Sequence, residues 1–115
     1  NLEQVYHDDS KVTEALVTRF HDMSLRAGNR QAFIDRARTD FKLGDSVNYA
    51  RLKSVKSETL IIWGENDEWI PLNNGKQMDS LIPNSELSII KNSGHVPMEE
   101  NPSQSATIMI KYLKS

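Results

Sequence analysis

The segment TLIIWG, residues 59–64, is the stretch that decides the fold. It is a continuous run of apolar and β-forming residues, too short for a typical helix, and Gly64 ends it. A run of this kind is typical of a strand buried on both faces, as in a parallel sheet. The segment ELSIIK, residues 86–91, has the same character and predicts a second buried strand.

Helical patterns lie between and after these two strands. Residues 74–82 fit a helix, and Pro83 begins a turn that leads into the second strand. Pro102 suits the first turn of a final helix, whose apolar side carries Ala106, Met109, Ile110 and Leu113. The order strand, helix, strand, helix favours parallel βα units and therefore the α/β class.

The residues ahead of the strands are predicted to be helical. Apolar side chains at a spacing of three and four predict a helix over residues 10–27, with Ser10 as its N-cap and Gly28 at its end. Asn29 predicts the cap of a second helix that runs to about Arg38. This half of the chain therefore contains no predicted strand.

A weaker pattern separates the helical half from the strands. Residues 44–46 predict a turn, and residues 47–52 predict a short helix. We therefore expect two segments, a helical one over residues 1–45 and a βαβα one over residues 46–115.

Composition and charge narrow the classes of function. The 115 residues include 14 Lys and Arg against 16 Asp and Glu, and the basic residues are scattered, so no nucleic-acid partner is expected. Cysteine is absent, which excludes disulfides and thiolate nucleophiles but leaves the compartment undetermined. No apolar run approaches the roughly 20 residues of a membrane helix. His7 and His21 lack partners at metal-ligand spacing, and we expect neither a metal nor a cofactor.

Two loops follow the predicted carboxyl ends of the strands. The first, GENDEWIP, covers residues 64–71, and the second, NSGHVP, covers residues 92–97. Neighbouring parallel strands deliver such loops to the same edge of a sheet. We therefore expect a carboxylate of the first loop to meet His95; Asp67 is favoured, and Glu65 and Glu68 compete with it.

A histidine beside a carboxylate suits nucleophilic catalysis. The histidine takes a proton from a hydroxyl nucleophile, and the carboxylate orients the imidazole and stabilises its charged form. Asp67 and His95 lie 28 residues apart, a separation that one βα unit spans. The structural alternatives are a surface loop histidine and an exposed turn acid.

Eight residues around the two loops match a known pattern. The first loop has the form Trp-Gly-x-x-Asp-x-x-x-Pro, carried by Trp63, Gly64, Asp67 and Pro71. The second has the form Gly-His-x-x-x-x-Glu-x-Pro, carried by Gly94, His95, Glu100 and Pro102. In this order and at this separation, the two patterns resemble the C-terminal portion of α/β-hydrolase-fold enzymes.

The resemblance implies a fold and a set of roles. The fold would be the C-terminal part of an α/β-hydrolase, with two parallel strands and flanking helices, and the helices of residues 1–45 are similar to the end of the cap in such enzymes. Asp67 would be the triad acid and His95 the triad base. The family carries its nucleophile earlier in the chain, on a Gly-x-Ser-x-Gly turn.

No Gly-x-Ser-x-Gly pattern occurs in this sequence. The nearest stretch, Gly44 to Asn48, lacks the second glycine and has no strand ahead of it, so Ser46 is interpreted as a turn or a helix cap. The chain also begins at Asn1 without a methionine or a signal-like segment. We therefore expect a piece of a longer hydrolase, with the acid and the base but neither nucleophile nor oxyanion hole, and inactive by itself.

Three functions stay open at this point. The first is a serine-type hydrolase acting on an ester or a related small substrate, and the second is a dehalogenase or a carbon–carbon bond hydrolase of the same fold. The third is an interaction module without catalysis. A strand followed by Gly-x-Ser-x-Gly in the upstream coding sequence would support an enzyme, and its absence would support the module.

Further expectations concern assembly and two side chains. Two apolar strands with open edges invite pairing, so a chain of these residues folded alone is expected to dimerise or to swap elements. Trp69 would either line a substrate pocket or pack against the following helix. Glu100 is expected to stabilise the start of the last helix through its dipole.

Overall fold

The computed structural model describes residues 2–43 and 49–115. The predicted turn at residues 44–46 and the role of Ser46 lie outside the described residues. The chain forms two compact units, one of residues 13–48 and the other of residues 1–12 together with residues 49–115. The first twelve residues thus belong with the strands, which the predicted division after residue 45 did not anticipate. The similarity of residues 1–45 to a cap stays a prediction.

The unit of residues 13–48 contains helices α1 (Glu14–Ser24) and α2 (Asn29–Leu43). Thr13 is the N-cap of α1, and its hydroxyl accepts a hydrogen bond of 3.2 Å from the Leu16 amide. The prediction of Ser10 as the N-cap of this helix was wrong for a local reason. The Asp8 carboxylate binds both the amide and the hydroxyl of Ser10, which holds this residue in a separate 3-10 turn ahead of α1.

The connection between α1 and α2 depends on Gly28. Its φ of +88° lies in the left-handed region, which glycine adopts without steric cost. The Gly28 carbonyl accepts a hydrogen bond of 2.8 Å from the Ala32 amide at the start of α2. Helix α1 ends four residues before Gly28, and α2 continues to Leu43, beyond its predicted end near Arg38.

The second unit contains the sheet. Strands β1 (Thr59–Gly64) and β2 (Ser85–Ile90) are parallel, and their register places Thr59 opposite Ser85 and Gly64 opposite Ile90. Helix α3 (Leu72–Leu81) connects them. The short helix α4 (Pro97–Glu100) and the longer α5 (Pro102–Lys114) follow β2. The predicted α/β arrangement of two parallel strands with flanking helices is confirmed, whereas α4 was not predicted.

Short 3-10 helices complete this unit at Leu2–Gln4, Asp9–Lys11 and Tyr49–Ser54. No helix within residues 2–43 and 49–115 combines the length and apolar character needed to cross a bilayer.

The apolar core of the described residues is small and consists of Val5, Tyr6, Ile61, Ile82 and Ile90. The expectation of strands buried on both faces was wrong for this chain, because the helices cover only part of a sheet of two strands. On β2, for example, Ile90 is fully buried whereas the adjacent Ile89 is 38% exposed. Dimerisation or element swapping of the chain stays a prediction.

Trp63 fastens α3 to β1. Its indole Nε1 donates a hydrogen bond of 3.1 Å to the Ile70 carbonyl, just ahead of α3. Gly75 of α3 lies against the ring, and a Cβ at that position would be 2.9 Å from ring carbons of Trp63. This close packing fixes the course of the chain after β1, including the loop that carries Asp67.

Candidate active site

The acid loop (residues 65–71) and the histidine loop (residues 91–96) are joined through their backbones. The Glu65 amide donates to the Ile90 carbonyl, and the Asn66 amide donates to the Ser93 carbonyl, both at 2.9 Å. Gly64 makes this approach possible, since a Cβ there would lie 2.8 Å from the carbonyl carbon of Ser93 and nearer still to the carbonyl oxygens of Ser93 and Gly94. The two loops therefore meet at the carboxyl edge of the sheet.

Asp67 contacts His95 across this junction. Its Oδ2 lies 2.9 Å from His95 Nδ1. Its Oδ1 accepts hydrogen bonds from the amides of Trp69 (3.0 Å) and Ile70 (2.8 Å), and its side chain is only 3% exposed. A carboxylate with both oxygens bound in this way has little rotational freedom. The structure thus brings together the two residues that the sequence singled out.

The competing acids of the same loop are placed differently. Glu65 and Glu68 are exposed, whereas Asp67 is buried. Only a side chain that turns back over its own loop reaches the amides of residues 69 and 70. Asp67 makes this Asx-type turn through Oδ1, and its other oxygen, Oδ2, contacts His95.

The imidazole of His95 is oriented by its Nδ1 contact. A carboxylate accepts hydrogen bonds, so Nδ1 carries a proton in this pair and Nε2 keeps its lone pair when the ring is neutral. The His95 side chain is 29% exposed. A cavity of about 100 Å³ adjoins it, and its lining residues are Ile62, Trp63, Gly64, Asp67, His95 and Pro97. The His95 side chain thus contacts Asp67, lines this cavity and is partly exposed to solvent.

Trp69 lies beside the imidazole. The centroids of the two rings are 4.9 Å apart and the planes are tilted by 52°. The indole is 60% exposed, so packing against α3 does not bury it. Both roles considered for Trp69, lining a substrate pocket and packing against the following helix, stay predictions.

The histidine loop is also held from its far side. Asn92 adopts a φ of +51°, and the fully buried Ser93 receives a hydrogen bond of 2.5 Å from the side-chain amide of Asn101. The His95 amide donates to the Val5 carbonyl at 2.7 Å. Residues from both ends of the chain thus support one short loop.

Glu100 makes contacts that sequence reasoning did not predict. The residue is 4% exposed and belongs to the end of α4. The expected effect of its charge on the start of the last helix stays a prediction. Glu100 Oε1 accepts from the Gly94 amide at 2.6 Å, and Oε2 accepts from the His7 amide at 2.8 Å. The position of Glu100 in the Gly-His pattern was the available signal, but a partner 93 residues away cannot be identified from spacing.

Among residues 2–43 and 49–115, no three His, Asp or Glu side chains are grouped closely enough to hold a metal ion.

Comparison with known proteins identifies the family. A family model described as alpha/beta hydrolase fold matches residues 6–102. The chain belongs to the α/β-hydrolase family. The resemblance stated from the two loop patterns is thereby confirmed, and so is the fold class.

Relatives within the α/β-hydrolase family include a 2-hydroxy-6-oxononadienedioate/2-hydroxy-6-oxononatrienedioate hydrolase of Pseudomonas putida. It is 33% identical over 90 residues, which are 77% of this chain and 31% of the relative. A second such hydrolase of Pseudomonas putida is 28% identical over 94% of this chain and 38% of its own length. The chain thus spans about a third of the length of these curated relatives.

A solved structure with the same fold is that of CarC, a serine hydrolase involved in carbazole degradation. Its TM-score is 0.86 at 21% identity, over 98% of this chain and 44% of that one. At this level of identity the likeness concerns the fold alone.

Proposed function

We propose that Asp67 and His95 are the acid and the base of a nucleophile–histidine–acid triad in an α/β-fold hydrolase. The observation that carries the proposal is the contact of 2.9 Å between Asp67 Oδ2 and His95 Nδ1, made by a carboxylate whose other oxygen is held by two backbone amides. A histidine oriented in this way by a buried acid is the arrangement that general base catalysis requires.

The two residues have distinct tasks in the proposed reaction. His95 accepts the proton of a hydroxyl nucleophile through Nε2 and later returns it to the departing group, so it acts as base and then as acid. The negative charge of Asp67 stabilises the imidazolium that exists between these steps. Because Asp67 holds Nδ1, the imidazole keeps Nε2 as its reactive nitrogen throughout the cycle.

The nucleophile belongs to another part of the protein in this proposal. The sequence contains no Gly-x-Ser-x-Gly pattern, and the family order places that pattern ahead of the acid and the histidine. We therefore propose that these 115 residues alone are inactive and that activity belongs to a longer chain that contains them.

The proposed reaction of that longer chain is hydrolysis of a carbon–carbon bond. Support comes from the relatives, which are hydrolases of 2-hydroxy-6-oxononadienedioate and of the corresponding trienedioate. The departing group in such a reaction is a carbon that must gain a proton, and in this proposal His95 supplies it. Esters use the same pair but release an alcohol instead.

The experiment uses the full-length protein that carries these residues. Hydrolysis is measured with 2-hydroxy-6-oxononadienedioate and, in parallel, with a panel of short aryl esters. We expect the dienedioate to have the higher kcat/KM. Higher kcat/KM with the esters would make esters the substrate class and leave the proposed triad unchanged. An aspartate at the position of the nucleophile in the full-length sequence would favour dehalogenation instead.

The triad roles are tested by substitution in the same protein. Asp67→Asn is expected to lower kcat by roughly 10⁴-fold, and His95→Ala by roughly 10⁴- to 10⁶-fold, the scale seen when a triad histidine is removed. Glu68→Gln is the matched control for the acid, because Glu68 is exposed in the same loop. His21→Ala is the control for the histidine, since the His21 side chain is 67% exposed on α1.

Wild-type turnover in the His95→Ala protein would remove His95 from the mechanism. A full-length protein that hydrolyses neither the dienedioate nor the esters would favour the interaction module.

A further inference from the structure

A second buried carboxylate lies next to the proposed acid–base pair and takes no part in it. Glu100 is 4% exposed, and each of its carboxylate oxygens accepts a hydrogen bond from a backbone amide. Burial of a charged group is costly unless such bonds compensate it. The backbone groups that Glu100 binds therefore indicate its role.

The bonds of Glu100 hold the backbone directly before His95. Oε1 binds the Gly94 amide at 2.6 Å, and Oε2 binds the His7 amide at 2.8 Å, so one side chain ties the histidine loop to the N-terminal segment. The same segment binds the next residue, because the Val5 carbonyl accepts from the His95 amide at 2.7 Å. Two consecutive amides, those of Gly94 and His95, are thus both fixed.

Steric contact reinforces these bonds at Gly94. A Cβ at this position would lie 2.6 Å from the Val5 carbonyl oxygen, 2.9 Å from the His7 nitrogen and 3.2 Å from Glu100 Oε1. The loop backbone is therefore pressed against the N-terminal segment from one side, while Ser93 is bonded to the acid loop on the other. A shift of the Gly94 backbone would carry the His95 ring with it.

We propose that Glu100 is a positioning residue for His95, acting through the Gly94 amide and through the segment of Val5 and His7. The inference rests on the proposed function of His95 as the catalytic base. In this arrangement the carboxylate sets the backbone from which the imidazole projects, and Asp67 sets the rotation of the ring. A displacement of about 1 Å in a catalytic group is enough to lower a rate by about a hundredfold.

Glu100→Gln tests the two hydrogen bonds that Glu100 accepts from backbone amides. The glutamine side chain has nearly the same size, but its amide nitrogen is a donor and would face one of the two backbone N–H groups. One of the two hydrogen bonds is then lost and replaced by a donor–donor contact. Glu99→Gln is the matched control, because it removes the same charge one residue away while its side-chain oxygen can still accept the hydrogen bond that the Tyr6 hydroxyl donates to Glu99 Oε2.

The test compares E100Q, E99Q and wild type in the full-length protein that carries these residues. We expect E100Q to lower kcat by roughly 10- to 100-fold while KM changes by less than about twofold, because positioning of the base affects the chemical step. The proton NMR resonance of the His95 Nδ1–H, bonded to Asp67, is expected to broaden or disappear in E100Q. E99Q is expected to match wild type in both measurements.

A purely structural role for Glu100 would lower thermal stability and leave both kcat of the folded protein and the Nδ1–H resonance unchanged, and that result overturns the proposal. If E100Q does not fold, E100D decides, since it keeps the charge but shortens the reach by one methylene. Reduced kcat at unchanged KM in E100D supports the proposal, and wild-type kcat overturns it.

The His95→Ala protein distinguishes the catalytic role of His95 from the positioning role of Glu100. Loss of activity in His95→Ala together with wild-type activity in E100Q rejects the positioning role alone. Retained activity in His95→Ala rejects the proposed function.

Discussion

Gly64→Ala is expected to separate the acid loop from the histidine loop. The added Cβ would lie 2.8 Å from the Ser93 carbonyl carbon and nearer still to the carbonyl oxygens of Ser93 and Gly94, whereas ordinary contacts begin at 3.4 Å, so the backbones must move apart by more than about 0.6 Å. A displacement of that size applied to the Asp67–His95 contact would stretch it from 2.9 Å to more than about 3.5 Å, beyond the outer limit of a hydrogen bond. The substitution should therefore weaken both the fold and the catalytic pair.

The expected cost in folding free energy is about 3 kcal/mol, at the upper end of the range for overpacking, because the clashing atoms of Ser93 and Gly94 are backbone atoms, which cannot rotate away as a side chain can. Gly28→Ala is the matched control. It forces alanine into a φ of +88° at a cost of about 1–2 kcal/mol, but no heavy atom lies within 4 Å of the added Cβ.

The assay measures urea unfolding, kcat and the Nδ1–H resonance of His95 in both full-length variants at a temperature where each is folded. Gly64→Ala should lose most of its kcat and the resonance, whereas Gly28→Ala should keep both. If folded Gly64→Ala retains the resonance and wild-type kcat, the backbone junction does not set the geometry of the pair and the reasoning fails.

Two further predictions concern stability. Ser105→Ala removes a buried hydrogen bond of 3.0 Å to the Pro97 carbonyl, which keeps its bond from the Asn101 amide, and is expected to destabilise the fold by about 0.5–1.5 kcal/mol, measured by chemical denaturation; an unchanged unfolding midpoint would contradict this. The pKa of Asp8 is lowered from 3.8, first by the hydrogen bond from the Ser10 hydroxyl and then by that from the Ser10 amide. This contribution to stability is present above pH 3.8 and is lost as the pH falls through the lower folded-state pKa. Ser10→Ala should raise the pKa of Asp8 toward its ordinary value in an NMR titration, and an unchanged pKa would refute the assignment.

The parts of the fold that local patterns encode were predictable from the sequence. Both strands were located to within one residue at their starts, because short β-rich apolar runs bounded by turn residues have few other solutions. The meeting of Asp67 and His95 followed from the topology of parallel strands, which brings successive loops to one edge of the sheet.

The parts that depend on distant contacts were not predictable. The role of Glu100 requires residues 5–7 to lie against the histidine loop, and no periodicity in either segment encodes that pairing. The exposure of Ile89 was also not predictable. Its apolar side chain predicts burial, but burial requires a neighbouring element that covers this face of β2. The start of α1 was missed for a local reason instead, because Asp8 binds the amide and hydroxyl of Ser10 and Thr13 is the N-cap.

The most direct test of the central claim is a double-mutant cycle on hydrolysis by the full-length protein. If Asp67 acts only through His95, the protein with both Asp67→Ala and His95→Ala should be no slower than the one with His95→Ala alone. Losses in kcat that multiply in the double variant would mean that the two residues act independently, which would contradict the proposed acid–base pair.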